Sequence, residues 1–360
     1  MHRFSIRAAL LAAVIVAGLV AAVPTQAGPP GNSYLVTPLV SDNPSLAPTT
    51  DPNVHNAWGL TRSATSPWWL SDNGTDQTSI YTGAGVLVKI GGLNAQGVPG
   101  DPTGTVFSGI PGQFKVGTTT DPTKLASNFI FDSEGGTISA WRGAPAALVT
   151  VDMSSDGAVF KGLAISNGGS GPRLYAADFG LSRVDVFDGG WNLLNTPGAF
   201  VDPNLPDGYA PFGIQTIGDR VFVSYAKKGE GLDEVDGQGL GFVDAYDLDG
   251  NLLTRVAQHG QLNAPWGLAL APADFGRFGG DLLVGNFGDG QINAYEEMPN
   301  GHFEHRGTLH AADGGKLVID GLWALEFGNT GNNGDAHTLF FTAGPNDEED
   351  GLFGTIKAAS

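Results

Sequence analysis

The 360-residue sequence contains no cysteine. That excludes a disulfide framework, a thiolate zinc site and a cysteine nucleophile, and it leaves the fold to be held by core and sheet alone. Charge is scarce too: Asp, Glu, Lys and Arg make up 15% of the chain, well under the usual quarter. Long solvated helices are therefore not expected. Positive charge is scarcer still, with 18 Lys and Arg against 37 Asp and Glu and a net charge of −19. Such a surface repels phosphate backbones, so nucleic acid is excluded as a partner and an anionic membrane surface is disfavoured. Cations, small molecules and neutral sugars remain. There is no Gly-x-Ser-x-Gly elbow, no His-Glu-x-x-His and no P-loop, which removes the commonest nucleophile, zinc-protease and nucleotide sites.

What is present points to sheet. Hydrophobic residues reach 41%, an ordinary globular share, and there are 55 glycines, about twice the average frequency. Many tight turns with few helices favour an all-β protein.

Residues 1–27 read as a secretory signal peptide. His2, Arg3 and Arg7 form a basic start, Ala8 to Val23 is apolar, and Thr25-Gln26-Ala27 supplies the small residues of a cleavage site. The apolar run is short for a membrane span, and Gly28-Pro29-Pro30-Gly31 breaks it. Cleavage after Ala27 is expected, with no transmembrane segment left. The product would be secreted, periplasmic or extracellular, and residues 28–360 would form one monomeric domain.

Beyond that point the chain repeats. A strand with an x-Gly-apolar core recurs at Trp58-Gly59-Leu60, Lys161-Gly162-Leu163, Phe212-Gly213-Ile214, Trp266-Gly267-Leu268 and Asp320-Gly321-Leu322. The wide gap between the first two predicts a degenerate copy near 110–117. A second strand ends in an Asp/Asn-Gly-type turn, with comparable positions at 72, 132, 178, 225, 286 and 343. A third alternates at period two, as in Arg183-Val184-Asp185-Val186-Phe187 and Gln291-Ile292-Asn293-Ala294-Tyr295. Six copies of a four-stranded unit predict a six-bladed β-propeller. The last copy stops after its third strand, so Ser33–Val40 is expected to supply the missing fourth and close the ring.

The stretches His55-Asn56-Ala57-Trp58-Gly59-Leu60, Ser71-Asp72-Asn73-Gly74, Asp132 to Trp141 and Ala343 to Gly354 resemble an uncharacterised family of secreted bacterial proteins, some carrying a PEP-CTERM sorting tail. This chain has no such tail. More distantly, the repeat resembles NHL-type and gluconolactonase-like six-bladed propellers, a resemblance that concerns fold. Enzymes of that kind place a divalent cation and catalytic acids at the propeller mouth.

In a propeller the turns between second and third strands lie on the same face as the start of each innermost strand. His55, Asn56, Asp72, Asn73, Asp132, Glu134, Asp178, Tyr225 and Asn286 are thus expected to ring one mouth. Their oxygens suit Ca²⁺ or another hard divalent cation, although Asp and Asn before Gly also serve as plain hairpin residues. Two longer turns on the same face carry Asp233, Glu234 and Asp236, and Asp347, Glu348, Glu349 and Asp350. Long loops on one face suit a binding surface. Trp58, Trp266 and Trp323 fall on innermost strands, where they pack between blades or, for Trp58 and Trp266, line the mouth to stack on a sugar or cation. Asp247-Leu248-Asp249-Gly250-Asn251 lacks the twelfth-position Glu of a calcium loop and reads as a hairpin. His302 and His305, with His310, invite a metal reading, but a spacing of three puts the first two on opposite sides of a strand. The function expected is an exported binding or scaffold module. The alternative is a metal-assisted hydrolase of the lactonase type.

Overall fold

The computed structural model describes residues 31–117, 124–143, 145–231 and 233–359; residues 1–27, read above as a targeting segment, lie outside them. Among the described residues six mainly antiparallel sheets, besides one small two-stranded sheet, follow one another along the chain. Their innermost strands are Ala57–Thr61, Pro102–Phe107, Phe160–Ser166, Tyr209–Ile217, Pro265–Leu270 and Leu322–Phe327. Each packs against the next, and the sixth packs against the first. This is a six-bladed β-propeller.

The ring is closed by the two ends of the described chain. Tyr34–Ser41 pairs antiparallel with Leu352–Ala358, from Tyr34 opposite Ala358 to Ser41 opposite Leu352. The opening strand is thus the fourth strand of blade 6. Tyr34 stacks on Phe278 and donates its hydroxyl to the Phe275 carbonyl at 3.2 Å, which ties the same strand to blade 5. Ser41 Oγ donates to the Gly351 carbonyl at 2.6 Å.

Every innermost strand carries a register irregularity against its partner, between Ala57 and Leu60, Phe160 and Leu163, Pro211 and Ile214, and likewise in the other three blades. A bulge bends the strand and re-aims its side chains. At the bulge the inner strands come very close: a Cβ on Gly59 would stand 2.4 Å from the Thr103 carbonyl, and one on Gly213 2.1 Å from that of Trp266. Glycine recurs here because neighbouring backbones leave no room for a side chain.

Two sequence assignments shift. The second blade's inner strand is Pro102–Phe107, with Gly104 at the bulge, and not 110–117. Residues 110–117 belong instead to an excursion before the second strand of that blade, where Lys115–Val116 pairs with Leu125–Ala126. Gly104 is flanked by Thr103 and Thr105, so no apolar neighbour marked it. In blade 6 the equivalent residue is Ala324 and not Gly321: its N–H bonds Thr342 Oγ1 at 3.1 Å, as Gly213 N–H bonds Ser224 Oγ at 3.0 Å.

Candidate functional site: the loop-side mouth of the channel

The residues just before the bulge positions, five glycines and Ala324, form one ring of the inner strands. Around the ring these are Trp58, Thr103, Lys161, Phe212, Trp266 and Trp323. Four are aromatic, and they plug the channel. Trp323 stacks on Trp58 with ring centroids 3.6 Å apart and on Phe287 at 4.1 Å; Trp266 and Phe212 meet Trp323 at 5.9 Å. Trp266 Nε1 donates to the Lys161 carbonyl at 2.7 Å, and Trp323 Nε1 to Asn56 Oδ1 at 3.1 Å. The inner-strand residues around the channel axis leave room for about 30 Å³, roughly one water.

On the loop side of the plug lies a cavity of about 340 Å³ lined by Trp58, Glu134, Lys161, Asp233, Glu234, Asp236, Phe287, Asp347 and Glu348. The odd member of the inner ring, Lys161, supplies its one ammonium. Only 2% of its side chain is exposed. Its Nζ donates to Glu134 Oε1 at 2.6 Å, lies 3.8 Å from Glu234 Oε2, and sits 5.0 Å from the centre of the Trp58 ring. Burial pulls the lysine pKa down, but Glu134 and Glu234 outweigh it and hold the net value above the ordinary one. The aromatic face of Trp58 is thus already occupied by the protein's own cation.

Polar side chains continue from this pair around the rim. Glu134 Oε2 accepts from Asn73 Nδ2 at 3.0 Å, Asn73 Oδ1 from Asn56 Nδ2 at 3.2 Å, and Glu348 Oε2 from Asn56 Nδ2 at 2.5 Å. Blades 1, 2, 3 and 6 are joined in one chain of hydrogen bonds. The blade-6 loop that delivers Glu348 is unusual: Asn346, Asp347 and Glu348 all have positive φ, at 59°, 54° and 67°. Such a conformation costs roughly 1–2 kcal/mol per non-glycine residue. It is held by Glu348 N–H to the Gly344 carbonyl, Asp350 N–H to Pro345, and Asn346 N–H to Asp320. Gly344 itself allows the approach of Asn56, whose Oδ1 would stand 2.2 Å from a Cβ there. In blade 4, Glu234–Val235 folds back onto Lys227 and Lys228 as a short strand. Gly237 N–H bonds Asn263 Oδ1 at 2.5 Å and fixes the loop to blade 5. Glu234 is left 7% exposed at its side chain. Burial pushes its pKa to about 7, with Glu348 and Asp233 adding to the rise and Lys161 opposing it. Burial also raises Glu348, against the pull of Asn56 and Lys161.

The rim residues named from sequence therefore divide. Asn56, Asn73 and Glu134 come together, and Asp233, Glu234, Asp236, Asp347 and Glu348 join them at the cavity. Glu349 is exposed outside the lining, and Asp350 is taken up by Asn43 and Asn346. Asp72, Asp132, Asp178 and Asn286 are fully buried away from the cavity lining. Burial, with Asp51 and Asp42, holds the Asp72 pKa well above the carboxylate range, against the opposing pull of Ser79. Asp178 Oδ1 accepts from the N–H groups of Val159 and Leu181 at 3.1 and 2.9 Å. Asn286 Nδ2 donates to the Gln261 carbonyl at 2.8 Å. Asp132 is displaced by one residue: Ser133 pairs with Pro102 as Asp72 pairs with Ala57, so Ser133 holds the comparable place. A one-residue step reverses the face, and Asp132 Oδ1 instead accepts from Gly104 N–H and Thr103 Oγ1 at 2.6 and 2.9 Å. Tyr225 bonds Tyr246 inside the core at 2.6 Å, and His55 pairs with Asp42 at 2.6 Å. His305 packs on Tyr295, while His310 Nδ1 faces the Gly314 carbonyl. Asp247 caps its own hairpin through the N–H groups of Asp249 and Asn251.

The donor set does not fit a divalent cation. Such an ion asks for six to eight converging oxygens; among the described residues no three His, Asp or Glu side chains are grouped to hold one. Asn56, Asn73 and Glu134 are turned to each other, and Lys161 Nζ stands among the carboxylates in the place a metal would need.

Lys161 was missed as a functional residue in the sequence because it was read only as the variable member of the repeat. The available signal was its contrast: one lysine at a position that is aromatic in four of six copies.

No family model matches the chain. Among solved structures it is similar to a streptogramin B lyase, with 12% identity and a TM-score of 0.49 over 91% of this chain and 99% of that one. A gluconolactonase from Xanthomonas campestris shows 15% identity and a TM-score of 0.41 over 72% of this chain and 91% of that one. Similarity at this level bears on neither ligand nor reaction. By sequence, the uncharacterised protein R648 of Acanthamoeba polyphaga mimivirus is 33% identical over 339 residues, covering 90% of this chain and 80% of that protein. The uncharacterised protein L690 of the same virus is 32% identical over 338 residues, covering 90% and 86%. These relatives lend no support to the expected kinship with secreted bacterial proteins bearing sorting tails. With this identity along most of both lengths, the chain belongs to the family of the mimivirus proteins R648 and L690.

Proposed function

We propose that this propeller is a binding module that takes a small polar ligand at the loop-side mouth of its channel. One observation carries the reading: a cavity of about 340 Å³, within the size range of ligand sites, is lined by six carboxylates and a single ammonium. The walls come from blades 2, 4 and 6, and the floor is the aromatic plug, so the site exists only when the ring is closed. The basic and apolar character of residues 1–27 supports export of the protein, and N-terminal sequencing of the purified product, beginning at Gly28, is the expected check.

A hydrolase of the lactonase type draws on Glu234, whose pKa of about 7 suits a general acid. Among the described residues no three His, Asp or Glu side chains are grouped to hold its metal, and the binding reading is preferred. The test is a thermal-shift panel of sugars, lactones and amines on the wild type and on Glu348→Gln. The expected result is at least one compound that raises the wild-type Tm and leaves the variant unmoved. Sustained turnover of a lactone, lost in Glu234→Gln, would replace the binding reading with the hydrolase.

A further inference from the structure

Blade 3 is a strand short. Among the described residues its sheet holds three strands, Phe160–Ser166, Arg173–Asp178 and Arg183–Asp188, where each of the other five blade sheets holds at least four. The chain begins a fourth strand and abandons it. Asp188 N–H donates to the Asn192 carbonyl at 3.0 Å and Leu194 N–H to the Val186 carbonyl at 2.8 Å, which makes a single bridge between Phe187 and Leu193. Pro197 follows and has no N–H to give to a ladder. Ala199 N–H then closes a turn on the Thr196 carbonyl at 3.1 Å.

Strand alternation identifies what is left open. Val186 and Asp188 spend outward groups on Leu194 and Asn192. Along an antiparallel edge every second residue presents its N–H and C=O to the same side. Val184 N–H, Val184 C=O and Val186 N–H therefore face outward too, and among the described residues they have no backbone partner. A cavity of about 410 Å³ lies against this edge, where a fourth strand would run. It is lined by Arg183 to Val186 and by the departing segment, Leu193 to Ala199 with Val201. Leu193 and Val201 are 47% and 55% exposed, so the cavity offers apolar contact beside the open main chain.

Unpaired main-chain groups in a row select another main chain. Charge selects its composition. Arg183 is bonded to Asp185 at 2.6 Å, and Asp178 and Asp156 also act on it, so one cation meets three carboxylates on that face. A second copy of this chain, with its net charge of −19, would bring the same surplus of acid.

We propose that the open edge of blade 3 is a docking site for an extended segment of a partner protein, which adds as the fourth strand and carries apolar side chains at alternate positions with lysine or arginine between them. In strand addition the main-chain hydrogen bonds give affinity and the alternate side chains give specificity. The molecule already uses this arrangement once, where Tyr34–Ser41 joins blade 6 as its fourth strand. The site is separate from the channel mouth and does not depend on the reading given for it.

The probe is a short fluorescein-labelled peptide in which lysine and valine alternate, titrated into the whole protein by fluorescence anisotropy at about 0.15 M salt, where long-range attraction is screened. A glutamate–valine peptide is the charge control. Val184→Pro removes one outward N–H, a change that edge strands accept, and Val201→Lys puts a charge into the cavity from an exposed position. Expected are one site per chain, binding at least ten-fold weaker in each variant, unchanged binding in Leu270→Lys on blade 5, and none of the glutamate peptide. In hydrogen exchange the Val184 and Val186 amides should exchange freely in the protein alone and at least ten-fold more slowly with saturating peptide. Circular dichroism melts establish that each variant is folded. Absence of binding, equal binding in Val184→Pro and Val201→Lys, equal binding of the glutamate peptide, or amides protected without peptide would overturn the proposal. So would protection that rises with protein concentration alongside a dimer in sedimentation, which would give the edge to a second copy.

Discussion

The two ends of the channel are built from the same inner strands and handle charge in opposite ways. At the far end, Arg62 donates to the Phe327 carbonyl through Nε and Nη2 at 2.9 and 2.7 Å, and its Nε lies 3.6 Å from Glu326. That cavity, about 210 Å³, carries one cation and one anion. At the loop side six carboxylates meet one lysine. The far end balances its charges one to one, whereas the loop side holds a surplus of carboxylate. On the binding reading, that surplus is what a ligand would meet.

Both ends depend on ring closure, so removing Tyr34–Ser41 should have the largest effect. Without its fourth strand, blade 6 exposes Leu352–Ala358 as an open edge. The expected outcome is loss of a cooperative thermal transition by circular dichroism; a truncated chain melting like the intact one would refute closure by this strand.

Next comes the lysine itself. Lys161→Met leaves Glu134 and Glu234 facing each other without a cation, and breaking a buried pair costs about 3–5 kcal/mol. The matched change at the far end, Arg62→Met, removes a longer, partly exposed pair and two hydrogen bonds to one carbonyl, for about 1–2 kcal/mol. Urea denaturation of the two variants measures the gap. Equal losses would erase the distinction between the mouths.

Smaller is the effect of pH. Burial pushes Asp132, Glu234, Asp244 and Glu326 each to about 7, while in the unfolded chain such groups titrate near 4. Between those values the native state binds more protons than the unfolded state, so stability falls as pH rises through the window. The protein should melt at least about 3 °C higher at pH 5.5 than at pH 8, by differential scanning calorimetry; a higher Tm at pH 8 would contradict the assignment. Smallest is Asp132→Asn, which retains an acceptor for Gly104 N–H and Thr103 Oγ1. It should change stability by under about 1 kcal/mol and flatten part of the pH dependence.

The blade count and the closing strand were legible because they rest on patterns repeated six times. Period-two alternation and recurrent x-Gly-apolar cores survive the loss of any single copy. Where one copy departs, the pattern misleads: Thr103-Gly104-Thr105 has no apolar flank, and Trp323-Ala324 has no glycine, so both strands were placed a few residues away. Site residues are harder, since a position on a turn does not say which way a side chain faces. Asp72, Asp178 and Asn286 share the turn chemistry of Asn73 and Glu134 yet are buried away from the cavity lining, and the one-residue offset at Asp132 turned it inward. Lys161 carried the strongest signal as the charged exception in an aromatic ring position, a signal visible only when the copies are compared column by column.

The central claim, that the loop-side mouth takes a small polar ligand, is tested most directly by the thermal-shift panel of sugars, lactones and amines on the wild type and on Glu348→Gln. The account predicts at least one compound that raises the wild-type Tm and leaves the variant unmoved. No shift with any compound, or the same shift in both proteins, would contradict it.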